Sequence, residues 1–407
     1  MSSWREQLEA FLEQELPAGW GSAIREGDIN SVLKLKKGLD NRAFVATLGA
    51  AGWVAPHWDP AHGGRGIEFN EARKVLDVLD DWEVPRMPRG AGLPLAAPAI
   101  LEWASDDTKR RFLPKIATGE ERWCQLFSEP GAGSDLASLA TTAVKDGDEW
   151  VVNGQKVWTT YGHMSDFAML LARTDTSQPK HKGITYFGMD MRSEGVEVRP
   201  LINMAGQNEF NEIFLTDVRI PDLHRISEPG EGWGATNTTL HAERFTLSGT
   251  KKKKRKASDE ILGGKTIGQV IALAQECGRS TDPVMRDKLA QEYSRHQVLR
   301  LTSQRARDNA KAGKPAGPEG SITKIAKAMS NQSLQVLAME LLGSDGTAWG
   351  AGGEAASFVE EFLRTRANSI EGGTSEIQRN IVGERVLGLP REPDQYKGQP
   401  WKDVPRS

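Results

Sequence analysis

Residues 148–160 read DEWVVNGQKVWTT, and the fold turns on how they are read. Two runs rich in β-branched and aromatic residues flank Asn153-Gly154, a pair that favours the tight turn of a hairpin, so the stretch predicts two antiparallel strands. Four more short runs follow, each bounded by turn residues: FAMLLART (167–174), GITYFGMDM (183–191), VEVRPL (196–201) and EIFLTDVRIP (212–221). Together they predict a compact β region in the middle of the chain.

Both flanks have a different period. Trp4, Leu8, Phe11 and Leu12 keep helical spacing, and DDTKRRFLPKIATGEE (106–121) predicts an exposed helix that stops near Gly119. Pro85, Pro88, Pro94 and Pro98 cut this half into short pieces. Beyond Gly232 the helical period returns, with Ile322, Ile325, Met329 and Val336 marking one apolar face and GKPAGPEGS (313–321) separating two long segments. The order is helices (1–122), strands (123–231), helices (232–407), an α+β arrangement. Without βαβ alternation, a doubly wound nucleotide-binding sheet is disfavoured.

Composition narrows the function. A net charge of −3 with 26% charged residues lacks the basic excess of a nucleic-acid binder. No apolar run approaches the ~20 residues that span a bilayer, and MSSWREQLEA has no signal-peptide core, so a cytoplasmic protein is expected. Cys124 and Cys277 are too few and too far apart for a disulfide framework or a cysteine zinc site. There is no Gly-x-Ser-x-Gly elbow and no His-Glu-x-x-His helix, and GKT at 264–266 lacks the glycine of a phosphate loop, so no metal site is expected. Twelve Trp against four Tyr is an unusual ratio with no functional reading at this stage.

The entry to the β region, WCQLFSEPGAGSD (123–135), has two readings. It is either a plain β-turn or a loop stripped of side chains so that backbone can approach a ligand. Gly131, Ala132 and Gly133 leave their amides unobstructed and Ser134 adds a hydroxyl, which suits a phosphate or the polar edge of a flavin. Taken alone, the stretch leaves both readings open.

Four segments in order, FSEPGAGSD (127–135), NGQKVWTTYG (153–162), EFNEIFLTDVRIP (209–221) and IEGGTSEIQRNIVGERVLGLP (370–390), resemble the acyl-CoA dehydrogenase family, and the resemblance runs from about residue 45 to about residue 391. It implies a three-domain fold: an N-terminal helical domain, a central β-barrel or sandwich, and a C-terminal four-helix bundle. It also implies bound FAD, an acyl-CoA substrate, electron transfer to an electron-transferring flavoprotein, and a homo- or heterotetramer without nucleic acid or membrane partners. Phe127 and Ser128 match positions at the pyrimidine side of the isoalloxazine. Gly133 and Ser134 match the loop near the diphosphate and the incoming CoA chain. Trp158, Thr159 and Thr160 match the segment flanking the ring and its N5, and Thr374 and Glu376 match cofactor contacts, with Glu376 standing where glutamine is commoner.

The family chemistry removes an α-proton from a thioester, which calls for a desolvated carboxylate and for donors aimed at the developing enolate oxygen. Many members carry that base two residues before the threonine of the Gly-Thr-Ser motif, but here the position is Gly372. Glu371 lies one residue earlier, where a slip turns its side chain elsewhere. A branch of the family instead uses a Glu-Arg pair on the first C-terminal helix, which this chain has as Glu243-Arg244 about ten residues after EGWGA. Adjacent opposite charges are commonly a solvated face. With the usual position vacant, Glu243 is the first candidate base and Glu371 the second, while Ser134, Arg244 and the Gly372 amide are candidate substrate contacts.

Two departures stand out. Where many homotetrameric members carry an Arg-x-x-Phe-Gly stretch whose arginine reaches a neighbouring subunit's diphosphate, this chain reads ALAQECGRS, with Ala274, Cys277 and, shifted, Arg279. Arg279 is one possible replacement. The other is a partner chain, as in heteromeric members acting on steroid side-chain or other bulky thioesters. Lys251–Lys256 is a run of six basic residues, read as a solvated helix end or loop, as an attractor for CoA phosphates, or as a nucleic-acid patch. The alternatives at this stage are a flavin monooxygenase or oxidase on the same fold, and a flavin-bearing or silent subunit of a hetero-oligomer.

Overall fold

Helix signals in the first 120 residues are local and well placed. The order is α1 (Trp4–Glu15), α2 (Trp20–Glu26), α3 (Ile29–Lys37), α4 (Asn41–Ala50), α5 (Phe69–Asp81), α6 (Ala97–Trp103) and α7 (Asp106–Thr118). Ser3 and Glu6 close a capping box at the start of α1, and Gly119 ends α7 in a left-handed conformation. The computed structural model describes residues 3–247, 263–312, 319–347 and 353–405, with side chains left out at 244–247, 310–311, 319 and 353–354. Leu8, Leu12, Trp20, Leu48, Trp53 and Trp82 form one buried cluster, and the Trp20 indole N–H donates to the Trp82 carbonyl at 2.9 Å. Part of the tryptophan surplus is therefore core volume.

The α7 stretch expected to be exposed is half inside. Phe112, Leu113, Ile116 and Ala117 are buried against the β region. The charged majority of its residues masked a narrow apolar stripe at helical spacing.

The strands are β1 (Trp123–Leu126), β2 (Thr142–Asp146), β3 (Glu149–Thr160), β4 (Phe167–Arg173), β5 (Ile184–Asp190), β6 (Val196–Leu201) and β7 (Phe210–Pro221). The expected hairpin at Asn153-Gly154 does not form. Both residues lie inside the single long strand β3, and the turn falls at Gly147-Asp148, between β2 and β3. Gly154 sits at a register shift against β7, where Thr141 packs so close that a side chain would collide. Asn153 exchanges two hydrogen bonds with Asp217 across the strands, both at 2.9 Å.

The sheet is a folded one. β1, β4 and β5 pair together, β2, β3, β7 and β6 pair in series, and the two halves join at the single Thr142–Arg173 pairing. Their inner faces meet over Leu126, Leu170, Phe187, Trp150, Val152 and Leu215, which makes the sandwich expected. β4 is buried along its whole length because it has two covered faces. Ala168, Leu170 and Ala172 point into the sandwich, whereas Phe167, Met169 and Leu171 meet α6 and α7.

The last part comprises α8 (Gly232–Leu247), α9 (Ile267–Glu276), α10 (Pro283–Lys311), α11 (Glu319–Leu342), α12 (Gly353–Arg364) and α13 (Ser375–Arg385). Val270, Leu273, Ala274, Leu334, Leu337 and Phe358 form its core. The face expected to be apolar and inward on α11 is reversed: Ile322, Met329 and Val336 are exposed, and Ile325 is half-buried. The buried side carries Thr323, Lys324, Asn331 and Gln335 together with Leu334, Leu337 and Ala338. The polar side wins because it saturates backbone. Asn331 donates to the Gly263 carbonyl at 2.9 Å, and the Gln335 amide both accepts from Lys265 N (3.1 Å) and donates to Lys265 O (2.9 Å). GKPAGPEGS lies mostly outside the described residues, as do Lys251–Lys256. No described helix is long and apolar enough to cross a membrane.

Candidate active site

The small-residue loop follows β1 and lies against the far end of β3. Ser128 O accepts from Val157 N at 2.9 Å, and Glu129 and Ala132 exchange two backbone bonds at 3.0 Å that close a tight turn. Beneath this turn Lys156, with 0% exposure, donates to Glu129 Oε1 at 2.8 Å and to the Phe127 carbonyl at 3.1 Å. The Glu129 carboxylate also accepts from Ala140 N at 2.7 Å and Thr141 N at 3.0 Å. Burial pushes the Glu129 carboxyl up, but the Lys156 ammonium and these donors outweigh it and hold the group below the ordinary carboxylate range. The loop backbone is thus pinned from below. Gly131, Gly133 and Ser134 face outward, and a Cβ added at Gly133 would meet open space.

Trp158 is the one exposed side chain among the described tryptophans. It is 57% exposed, sits at φ +61°, and falls within a register shift of the β3–β7 pairing. A bulky residue held in the left-handed region costs about 1–3 kcal/mol, and such strain concentrates at functional sites. The bulge turns the indole out of the sheet. There it meets the edge of Phe210, with ring centroids 5.8 Å apart. Thr160 is exposed beside it. Thr159 is turned inward and fully buried, so its side chain is not presented to the same face. An outward indole beside an open turn of small residues fits a flat, polar-edged ring such as a flavin.

Two further elements are tied to this wall. The first is α8. Phe127 packs edge-on to Tyr186 of β5 (5.7 Å), and the Tyr186 hydroxyl lies 3.1 Å from the Thr239 hydroxyl, which also donates to the Leu95 carbonyl at 3.3 Å. Gly234 lets α8 sit directly on the Trp103 ring. Glu243 lies four residues past Thr239 and seven past Thr236, on the same inward face of the helix, and is half-buried. The Arg244 side chain lies outside the described residues.

The second is the loop before α13. Arg364 bridges Glu209 at 2.7 Å and Glu371 at 2.9 Å, and Asn368 also donates to Glu371 at 2.9 Å. Burial and then the two carboxylates act in opposite senses on the Arg364 guanidinium, with the net result upward. Glu209 neighbours Phe210, so this bridge brings Gly372 and Gly373, both with positive φ, to the Trp158 side of the β region. Thr374 caps α13. Its hydroxyl accepts from Ile377 N at 3.2 Å, while Glu376 is exposed and paired with Arg379 at 3.1 Å. Arg279 donates to its own chain's Glu340 carbonyl at 2.8 Å, and Ala274 is core.

Glu129, Lys156, Tyr186, Thr239 and Arg364 went unread in the sequence as parts of this site. Only Glu129 carried a signal, as an acid preceding a turn of small residues on the entry to the β region.

The fold and this convergence match known proteins. Residues 2–120, 124–218 and 230–387 match the acyl-CoA dehydrogenase N-terminal, middle and C-terminal domains in turn, and the chain belongs to this family of flavoprotein oxidoreductases. Among curated proteins it is 35% identical to Acyl-CoA dehydrogenase IpdE1 of Mycobacterium tuberculosis over 87% of this chain and 89% of that one. Among solved structures it resembles the Tcur3481-Tcur3483 steroid ACAD, with a TM-score of 0.70 and 26% identity over 95% of this chain and 97% of that one. It also resembles a chain of the ChsE4-ChsE5 complex from Mycobacterium tuberculosis, with a TM-score of 0.66 and 27% identity over 95% and 97%.

Proposed function

We propose that the protein dehydrogenates an acyl-CoA thioester across its α and β carbons to the trans-2-enoyl-CoA, with Glu243 as the base. When bound, FAD would take up the β-hydrogen with its electron pair and hand the electrons on to an electron-transferring flavoprotein. Phe127, Ser128, Trp158 and Thr160 would hold the ring, Gly133 and Ser134 the diphosphate side, and Thr374 and Glu376 the remainder. Glu243 breaks the α C–H bond and keeps the proton. The Gly372 amide donates to the thioester oxygen as charge develops there, and Ser134 and Arg244 orient the CoA chain.

The observation that carries this reading is the state of the two acids. Glu371 is held by Arg364 and Asn368 and serves as a structural anion. Glu243 lies on the α8 face that packs, through Thr239 and Tyr186, onto Phe127 of the loop. A base on α8 leaves the space beside Gly372 without a side chain, which favours bulky or branched acyl groups, and the likeness to a steroid ACAD points the same way. The domain division at 1–122, 123–231 and 232–407 belongs to the same reading, supported by the change from helix to strand at Trp123 and back at Gly232. Assembly into a homo- or heterotetramer is supported by the exposed apolar stripe of α11 and by Arg279 being engaged within its own chain.

Anaerobic titration with a panel of CoA thioesters, followed by the visible flavin spectrum, tests the reading. Glu243→Gln is expected to retain its flavin and to lose at least a hundredfold in the rate of flavin reduction. Reduction at the wild-type rate would remove Glu243 as base and transfer the role to Glu371. Oxygen consumption in step with thioester turnover would favour an oxidase on this fold.

A further inference from the structure

The segment after α13 returns to the β region and docks there. Trp401 N donates to Gln178 O at 2.8 Å, Lys402 N donates to Thr176 O at 3.1 Å, and Pro400 bridges Pro179. The Trp401 ring is buried, and the Arg173 guanidinium carbon lies 4.7 Å from its centroid. Arg173, buried at the end of β4, donates to the carbonyls of Ala137 (2.6 Å), Leu139 (3.1 Å) and Lys180 (2.7 Å). A second tie runs alongside: Lys180 Nζ lies 2.9 and 3.0 Å from the two Asp135 oxygens. One guanidinium under one indole therefore holds both the 176–182 loop and residues 135–139, which continue directly from the small-residue turn. The family's C-terminal domain matches only to residue 387, so Trp401 lies beyond the matched residues, whereas Arg173 and the loops it holds lie within the middle-domain match.

A buried guanidinium is stable only where its N–H groups and its faces are occupied. Here three carbonyls accept from the two terminal nitrogens and the indole covers a face, a contact that strengthens as water is excluded. Without the indole, water reaches the guanidinium and competes for it with the Ala137 and Leu139 carbonyls. Slack then passes to Asp135 and Ser134.

We propose that Trp401 is a positioning residue for the ligand loop, setting through Arg173 the placement of residues 134–139 that receives the CoA thioester. This rests on the reading of that loop given above. The test uses the full chain with Trp401→Ala and Trp401→Phe, reading amide hydrogen exchange without substrate, then KM and kcat with a CoA thioester. Trp401→Ala is expected to speed exchange at residues 136–140 at least tenfold while leaving β3 and α8 unchanged. It should raise KM at least fivefold with kcat within twofold, and Trp401→Phe should restore most of both. Unchanged exchange at 136–140 would overturn the proposal, as would faster exchange spread over the whole chain with a lowered Tm. Faster exchange confined to 136–140 with an unchanged KM would keep the clamp and overturn the assignment of this loop to the substrate.

Discussion

The small-residue turn of the β region and helix α11 treat a buried lysine in opposite ways. Under the small-residue turn a buried cation and a buried anion are matched, and the anion's remaining capacity is filled by two backbone amides. On α11 the inward side mixes Thr323, Lys324, Asn331 and Gln335 with Leu334, Leu337 and Ala338, the outward side carries Ile322, Met329 and Val336, and buried Lys324 Nζ lacks a hydrogen-bond partner among the described residues. A β sandwich closes on itself, because its pairing and its two faces are completed by its own strands. A helical layer that turns apolar residues outward is completed by something else. A contact with another chain is therefore expected on the helical side.

The sharpest way to break the comparison is to remove one member of the matched pair. Lys156→Met leaves Glu129 buried without its counter-ion, for which a loss of about 3–5 kcal/mol is expected in urea unfolding. Lys156→Met with Glu129→Gln should recover most of it, because the cost lies in the unpaired charge. The pH dependence has a defined sign. The Glu129 carboxyl in the folded state titrates below its usual value of 4.5. Its contribution is therefore fully present above that usual value and is lost as pH falls through the folded-state value. The stability gap between wild type and the double variant should close on the acid side. A Lys156→Met protein as stable as wild type would show that the wall is not held by this pair.

Why these residues were hard to read is a matter of range. The order helix, strand, helix was legible because periods of 3.6 and 2 are local properties, and the strands after residue 167 fall where their apolar runs lie. Asn153-Gly154 misled because the glycine is required by the approach of Thr141 and not by a turn, and that contact is invisible along the chain. Trp158 and the small-residue turn were legible through resemblance, but the strain at Trp158 arises from the bulge against β7. The α11 face was misassigned because hydropathy cannot foresee that Asn331 and Gln335 are needed to saturate the backbone at 263–265. Arg364 could not be placed because both of its acidic partners are set by tertiary structure.

The outward stripe offers the next largest effect. Met329 is 59% exposed in the single chain, so Met329→Asp should leave the folding of that chain almost unchanged. In an assembly built on this face it places a charge in an apolar contact, and association should weaken more than tenfold, equivalent to about 1.4 kcal/mol. Sedimentation velocity of wild type and variant over a range of concentrations measures this directly. Equal association of the two proteins would mean that another surface joins the subunits.

The smallest effect separates binding from folding within the wall itself, using two glycines. Gly154→Ala drives a methyl into Thr141, and overpacking of this kind costs roughly 1–3 kcal/mol of stability. A methyl at Gly133 meets no atom within 4 Å. The effect of Gly133→Ala on unfolding should accordingly stay within about 0.5 kcal/mol. If the space above Gly133 is where a diphosphate or CoA chain runs, the same methyl nonetheless stands in the ligand's path. The expected result for Gly133→Ala is an unchanged urea midpoint with several-fold weaker flavin retention or thioester binding, whereas Gly154→Ala should lose stability first. Unchanged binding in Gly133→Ala would return the turn to the plainer of its two readings, a loop that happens to be small.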